Sequence, residues 1–268
     1  MLLWPAEAIW QDLVALRPGL TVEVLPQIDS TNSALMRRAR AGQTEPVLLV
    51  AEHQSAGRGR LGRQWHGEAG QTLMFSLGLM LAPRDWSGLS LAVGLSLARS
   101  LDPQGQHGLQ LKWPNDLWLP LPEGGHGKLG GILIETGVTD AQAQARYTVI
   151  GVGLNIATPL ADGLAHAPAG WAKVDATASA PALLAQVAAP LLRDVQAFAD
   201  HGFAPSQAAF GQRDALRGQA VQLSDGRHGQ ALGVDAQGGL RVQVAGVVHT
   251  ITSAEVSVRR APATGGDA

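Results

Sequence analysis

The spacing of apolar residues along this 268-residue chain changes period several times, and the changes divide it into elements. Between Gln11 and Gly42 two stretches of helical periodicity flank a short extended run, Val22–Leu25. The second stretch opens at Asp29-Ser30-Thr31-Asn32, a sequence suited to an N-cap, and sets Leu35, Met36 and Ala39 on one face. Apolar runs at Val47–Glu52 and Thr72–Leu79 predict strands separated by a Gly/Arg-rich loop, and Trp86–Leu101 predicts a helix. Four short strands follow at Gln110–Trp113, Leu117–Leu119, Gly130–Glu135 and Tyr147–Leu154. Ala178–His201 then predicts a long helix and Pro205–Gln212 a shorter one. From Arg217 the pattern becomes short and alternating: Ala220–Leu223, Gln230–Val234, Leu240–Val244 and Val247–Ile251, punctuated by Ser-Asp-Gly and Gln-Gly-Gly turns. The expected architecture is α+β: a mixed β-sheet packed with helices over residues 1–213, a small β-barrel over 214–260 and a disordered tail over 261–268.

Composition narrows the field. Charged residues make up 16% and hydrophobic residues 46%, the balance of a chain that builds a core. Twenty Lys and Arg against 22 Asp and Glu leave a net charge of -2, too even for a protein that coats nucleic acid or an anionic membrane, so any positive field is local. The absence of cysteine removes disulfides, thiolate nucleophiles and Cys-ligated metals, and agrees with a reducing, cytoplasmic setting. The N-terminus lacks a basic segment ahead of an apolar run, so no signal peptide is expected. The longest apolar stretches, Thr72–Ala82 and Tyr147–Ala157, fall short of the roughly 20 residues that span a bilayer, and no membrane association is expected.

Only three of the 20 basic residues are lysines and only three asparagines occur. Lys112, Lys128, Asn32, Asn115 and Asn155 all fall in candidate motifs, which marks these as positions where side-chain geometry matters. Gly57-Arg58-Gly59-Arg60-Leu61-Gly62-Arg63 concentrates three guanidiniums and three glycines, with no acid between His53 and Gly67. Glycine lets backbone N–H groups approach an anion and arginine grips phosphate or carboxylate with two donors, so an anion site is the direct reading; a solvated loop or a nucleic-acid contact uses the same letters. Trp65 beyond it is a stacking surface or a core residue. Lys112-Trp113-Pro114-Asn115-Asp116 delivers a cation, an amide and an acid to one strand end, as a polar pocket or simply a β-turn requires. Lys128-Leu129-Gly130-Gly131-Ile132 places a lone lysine at the mouth of an apolar strand, as an anion partner or a surface cap. In Val149–Asn155, Gly151 and Gly153 share a face and leave room for a flat ring, without the third glycine of a dinucleotide motif.

Taken in order, DSTN, AEHQSAGRGRLGRQW, LKWPNDL, KLGGILIE and VIGVGLNI resemble the catalytic domain of the biotin protein ligases. The resemblance covers about residues 22–156 through motifs and extends to the small barrel, SH3-like in that family. It implies a two-step reaction: biotin and MgATP form biotinyl-5′-AMP and pyrophosphate, and the acyl group passes to a lysine of a biotin carboxyl carrier domain of acetyl-CoA carboxylase or a related carboxylase. It further implies that Ser30, Thr31 and Gln54 meet the ureido ring and that Asn32 belongs to the biotin site. Gly57, Arg58, Gly59, Arg60 and Lys128 would embrace the carboxylate and phosphate, while Gly131, Ile132 and Gly151 line the biotin site. Arg63, Trp65, Lys112, Asn115 and Asn155 would face the nucleotide, with Asp116 a local base or electrostatic helper. ATP and biotin are then substrates and Mg2+ is expected; a homodimer built by sheet extension is possible. Because DSTN begins at Asp29, no DNA-binding domain is expected ahead of it. Pro120–Gly127 looks long for its place between motifs. The alternatives are a lipoate or octanoate transferase of the same fold, and a biotin-responsive binder without turnover.

Overall fold

The computed structural model describes residues 2–140, 144–160, 166–252 and 258–260; the expected disordered tail, 261–268, lies outside the described residues. The elements are α1 (Ala6–Leu16), β1 (Thr21–Ile28), α2 (Thr31–Arg40), β2 (Val47–Gln54), β3 (Thr72–Leu81), α3 (Leu89–Leu101), β4 (Gln110–Lys112), β5 (Asp116–Pro120), β6 (His126–Asp140), β7 (Ala145–Asn155), α4 (Ala180–His201) and α5 (Gln207–Gly211). The C-terminal part adds β8 (Ala220–Leu223), β9 (His228–Val234), β10 (Leu240–Val244), β11 (Val247–Ile251) and β12 (Val258–Arg260).

Seven strands form one mixed sheet in the order β1-β2-β3-β7-β6-β5-β4, with β1 and β2 parallel and the other pairs antiparallel. Alternation along each strand sorts its side chains to two faces. Leu48, Val50, Leu73, Leu77, Ile150 and Val152 enter one large core with α1, α3 and α4, whereas Val47, Leu49, Tyr147 and Val149 meet Leu35 and Ala39 of α2 on the other face. The α2 face also carries Ser76, Gly131, Gly151 and Gly153, so the helix covers only part of it. The site occupies the rest. A second, five-stranded antiparallel sheet, β11-β10-β9-β8-β12, closes the chain. Its Leu223, Leu240, Val242 and Ile251 join the large core, and Trp113 Nε1 donates to Gly238 O at 3.0 Å across the junction. The expected mixed sheet with helices and a small β unit is therefore what the chain forms.

Several elements outrun their apolar signal. β6 and β7 pair from Gly130↔Leu154 to Asp140↔Ala145, because an antiparallel ladder continues past the buried segment wherever the backbone groups still find each other. β1 runs through Pro26, which an edge strand tolerates. α3 begins at Leu89, later than predicted, since Gly88 at φ 82° is its N-cap. The long connection Pro120–Gly127 resolves into hairpin: β5 reaches Pro120, β6 starts at His126, and the turn closes with Leu121 N donating to Gly125 O. Its extra length lengthens the ladder and leaves Lys128 paired with Trp118.

Candidate active site

A cavity of about 130 Å³ opens on the α2 face, between the start of α2, the loop after β2 and the glycine-bearing parts of β6 and β7. One end is polar and neutral. Ser30 caps α2, its Oγ accepting from Ser33 N at 3.4 Å. Thr31 N and Oγ1 both donate to Gln54 Oε1, at 2.7 and 3.2 Å, while Gln54 Nε2 donates to Met74 Sδ at 3.2 Å. Ser76, fully buried on β3, lies 2.7 Å from Thr31 Oγ1 and 2.6 Å from Asn32 Oδ1. Asn32 Nδ2 in turn donates to Leu133 O at 3.1 Å and Glu135 Oε2 at 3.0 Å. The amide of Asn32 is thus committed to fastening α2 onto β6. Donors that remain to a ligand here are the Ser30 hydroxyl and the second Gln54 Nε2 proton, since sulfur accepts only weakly.

The other end is charged. The Gly/Arg segment folds back on itself: Trp65 N donates to Gly57 O at 2.9 Å, Gly59 N to Arg63 O at 2.8 Å, and Arg63 N to Arg60 O at 3.2 Å. Gly57 is obligatory there, because a Cβ would stand 2.3 Å from Trp65 O. Arg58 Nη1 meets Glu135 Oε1 at 3.0 Å. Arg60 Nη1 lies 3.4 Å from Asn115 Oδ1, and Asn115 Nδ2 donates to Ile132 O at 2.9 Å, so the turn between β4 and β5 steadies the guanidinium. Burial draws the Arg60 pKa below its ordinary value, with Asp116 opposing and Arg63 adding to that shift. Lys128 Nζ pairs with Asp116 Oδ1 at 2.6 Å. Arg60 and Lys128, from separate stretches of sequence, are therefore held by adjacent residues, Asn115 and Asp116.

Trp65 lies against the floor of the cavity. A Cβ on Gly153 would fall 2.4 Å from its indole, and Lys128 Nζ sits 5.9 Å from the ring centroid. Its Nε1 is buried with no hydrogen-bond partner among the described residues. Room that the sequence suggested for a flat ligand ring above Gly151 and Gly153 is taken by the protein itself, since a Cβ on Gly151 would stand 2.0 Å from Asn32 Oδ1.

Most of the residues singled out from sequence line this cavity; Gly57, Lys112 and Asn155 do not. Asn155 is buried behind it, its Nδ2 reaching Lys128 O at 3.3 Å and Ala169 O at 3.1 Å. Lys112, also buried, stands 5.2 Å from the Trp118 ring centroid. Sequence reasoning passed over Glu135 and Ser76. Glu135 shares a face with Gly131 by simple alternation, and Ser76 is the lone hydroxyl inside an apolar strand; both signals were legible. A roomier hollow of about 330 Å³ beside Thr72 and Pro159 offers Glu68 and His66 but no Lys or Arg. It lacks the cations of an anion site.

Residues 24–155 match the Biotin/lipoate A/B protein ligase family. The chain is 34% identical over 252 residues to the Bifunctional ligase/repressor BirA of Escherichia coli (strain K12), covering 91% of this chain and 75% of that protein. It is 31% identical over 249 residues to the Biotin--[acetyl-CoA-carboxylase] ligase of Paracoccus denitrificans, covering 87% and 98%. In fold it resembles the biotin protein ligase from Aquifex aeolicus in complex with biotin and ATP, with a TM-score of 0.75 at 24% identity over 90% of this chain and 99% of that one. The chain belongs to the biotin/lipoate protein ligase family.

Proposed function

We propose that this chain is a biotin protein ligase, which activates biotin with ATP to biotinyl-5′-AMP and then forms an amide with a lysine of a biotin carboxyl carrier domain. The observation that carries the reading is the convergence of Arg60 and Lys128 on the Asn115–Asp116 turn, at the far end of a cavity that begins with neutral hydroxyl and amide groups. A carboxylate and an α-phosphate repel each other. Four cations within one cavity offset that repulsion, each charge-assisted hydrogen bond contributing on the order of 1.5–3 kcal/mol. Ser30, Thr31 and Gln54 then receive the ureido ring, Gly131 and Ile132 the aliphatic tail, and the Arg58–Arg60 backbone with Lys128 the reacting oxygens. Trp65, with its unpaired indole N–H, borders the nucleotide. Asn32, Asn115 and Asn155 act by holding the walls. Asp116, paired at 2.6 Å, orients Lys128 and is the nearest carboxylate to help the acceptor lysine lose its proton.

Relatives named as biotin--[acetyl-CoA-carboxylase] ligases support a carboxylase carrier as the acceptor. Past Ile132, β6 pairs only with β7 among the described residues, leaving an edge suited to an added strand from a carrier or a second copy. Among the described residues no cluster of three or more His, Asp and Glu is placed to hold a metal. Mg2+ enters this reading with the nucleotide, as MgATP. No helix of the described residues is long and apolar enough to cross a membrane, and the cysteine-free chain suits the cytoplasm. The test is biotin-dependent exchange of labelled pyrophosphate into ATP. Exchange with biotin but not lipoate is expected; exchange with lipoate alone, or biotin binding without exchange, would overturn the reading in favour of a lipoate enzyme or a passive binder.

A further inference from the structure

Beyond the end of β7 at Asn155, residues 166–169 lie against the backbone of β6. They are tied to the lysine that pairs with Asp116: Lys128 N donates to Ala167 O at 2.7 Å, and Ala169 N to Lys128 O at 2.9 Å. His166 immediately precedes this bridge. Its ring stands edge-on to Trp118, 5.4 Å between centroids, and Trp118 is the register partner of Lys128 across β5 and β6. The same indole has Lys112 Nζ 5.2 Å from its centroid and His126 stacked at 6.4 Å. A half-buried imidazole is thus set among cations from separate elements, Lys112 on β4, Lys128 on β6 and Arg63 on the Gly/Arg segment, with Asp116 on β5 an opposing acid. Nothing in the ureido or carboxylate chemistry of biotin calls for a histidine at this place.

We propose that His166 is a positioning residue for the phosphate chain of the nucleotide, an imidazole held edge-on to Trp118 beside Lys112 and Lys128 that donates a hydrogen bond to the pyrophosphate. The inference rests on the nucleotide-activating function proposed above. Burial comes first, then Lys112, in pushing the His166 pKa down to about 4, with Lys128 and Arg63 acting the same way and Asp116 opposing. A triphosphate reverses the sign of that surrounding charge and favours the imidazolium. In the reaction the biotin carboxylate oxygen bonds to the α-phosphorus while the bond from that phosphorus to the bridging oxygen of the β-phosphate breaks. The electron pair leaves with pyrophosphate. The His166 proton comes from solvent as the nucleotide binds and returns to it when pyrophosphate departs, so the step balances without a further reactant. The imidazolium donates a hydrogen bond to the group on which negative charge accumulates.

The full-length enzyme tests this directly. The His166 ring signals, identified by their loss in His166→Gln, are followed by NMR against pH alone, with biotin, and with magnesium pyrophosphate. An upward move of the titration midpoint by about two units with pyrophosphate, and none with biotin, is expected. A midpoint unmoved by pyrophosphate overturns the proposal. In kinetics, His166→Phe, which keeps the edge contact with Trp118, is expected to slow biotin-dependent pyrophosphate exchange about tenfold at pH 6 and to flatten its pH profile, leaving the KM for biotin and transfer from preformed biotinyl-5′-AMP unchanged. A wild-type pH profile in that variant, or loss of biotin binding in parallel with exchange, would reduce His166 to a packing residue. Absence of exchange in the unmodified enzyme would instead sink the ligase function itself, so the two failures are distinguishable.

Discussion

The two ends of the cavity are built on opposite principles. At the α2 end Thr31, Asn32, Gln54 and Ser76 saturate one another in a buried relay, and the few donors left over are fixed in direction. At the charged end Arg58 and Arg60 hang from a self-bonded turn whose tip residue, Leu61, has φ 56° and is 73% exposed. The contrast separates two tasks. A neutral heterocycle is recognised by direction, which demands rigid, desolvated partners; opposing anions are brought together by charge, which tolerates longer and more exposed side chains as long as several act at once.

Substitutions can break that division, the largest effect falling at the charged end. Lys128→Ala is expected to lower biotin-dependent pyrophosphate exchange by about 10²- to 10³-fold, measured by exchange of labelled pyrophosphate into ATP. Gly151→Ala comes next, because a Cβ 2.0 Å from Asn32 Oδ1 must displace the side chain that pins α2. A loss of biotin affinity of about 100-fold is expected, with Asn32 expelled from its bonds to Leu133 and Glu135. Ser76→Ala removes the centre of the relay and leaves buried oxygens short of a donor, at about 1–3 kcal/mol of stability in denaturant unfolding. Arg60→Gly is expected to leave folding untouched and let biotinyl-5′-AMP escape about tenfold faster, read from retention of the labelled intermediate. The smallest effect is on pH dependence. With its native pKa near 4 against an ordinary value of 6.5, His166 binds its proton more readily in the unfolded chain, so it subtracts stability as pH falls from about 6.5 towards 4 and none above that range. His166→Gln should recover on the order of 1 kcal/mol at pH 5 and nothing at pH 8.

Much of this was legible before any coordinates. Strands β2, β3 and β7 follow continuous apolar runs and β8 and β10 of the small sheet follow apolar alternation, and the motif order brought the Gly/Arg segment and Lys128 to one site. What the letters withheld was which polar groups are spent. Asn32, Asn115 and Asn155 look like ligand contacts because asparagine is scarce here, yet each amide is engaged with the backbone of a neighbouring segment. Paired glycines on β7 suggested an empty shelf, but absence of a side chain says only that something comes close, and here it is Asn32 and Trp65. β12 went unseen because three residues carry too little periodicity, and it is recruited by pairing with β8.

The bond pair from Asn155 Nδ2 has a consequence for how this site can change over time. One amide spans Lys128 O and Ala169 O, so the chain that leaves β7 and the chain at Ala169 are fastened at a single knot on the backbone of β6. Insertions into such a tethered arc add little closure entropy, which rises only with the logarithm of length. Descendants of this protein are free to lengthen that arc while one amide keeps both of its ends fastened to β6.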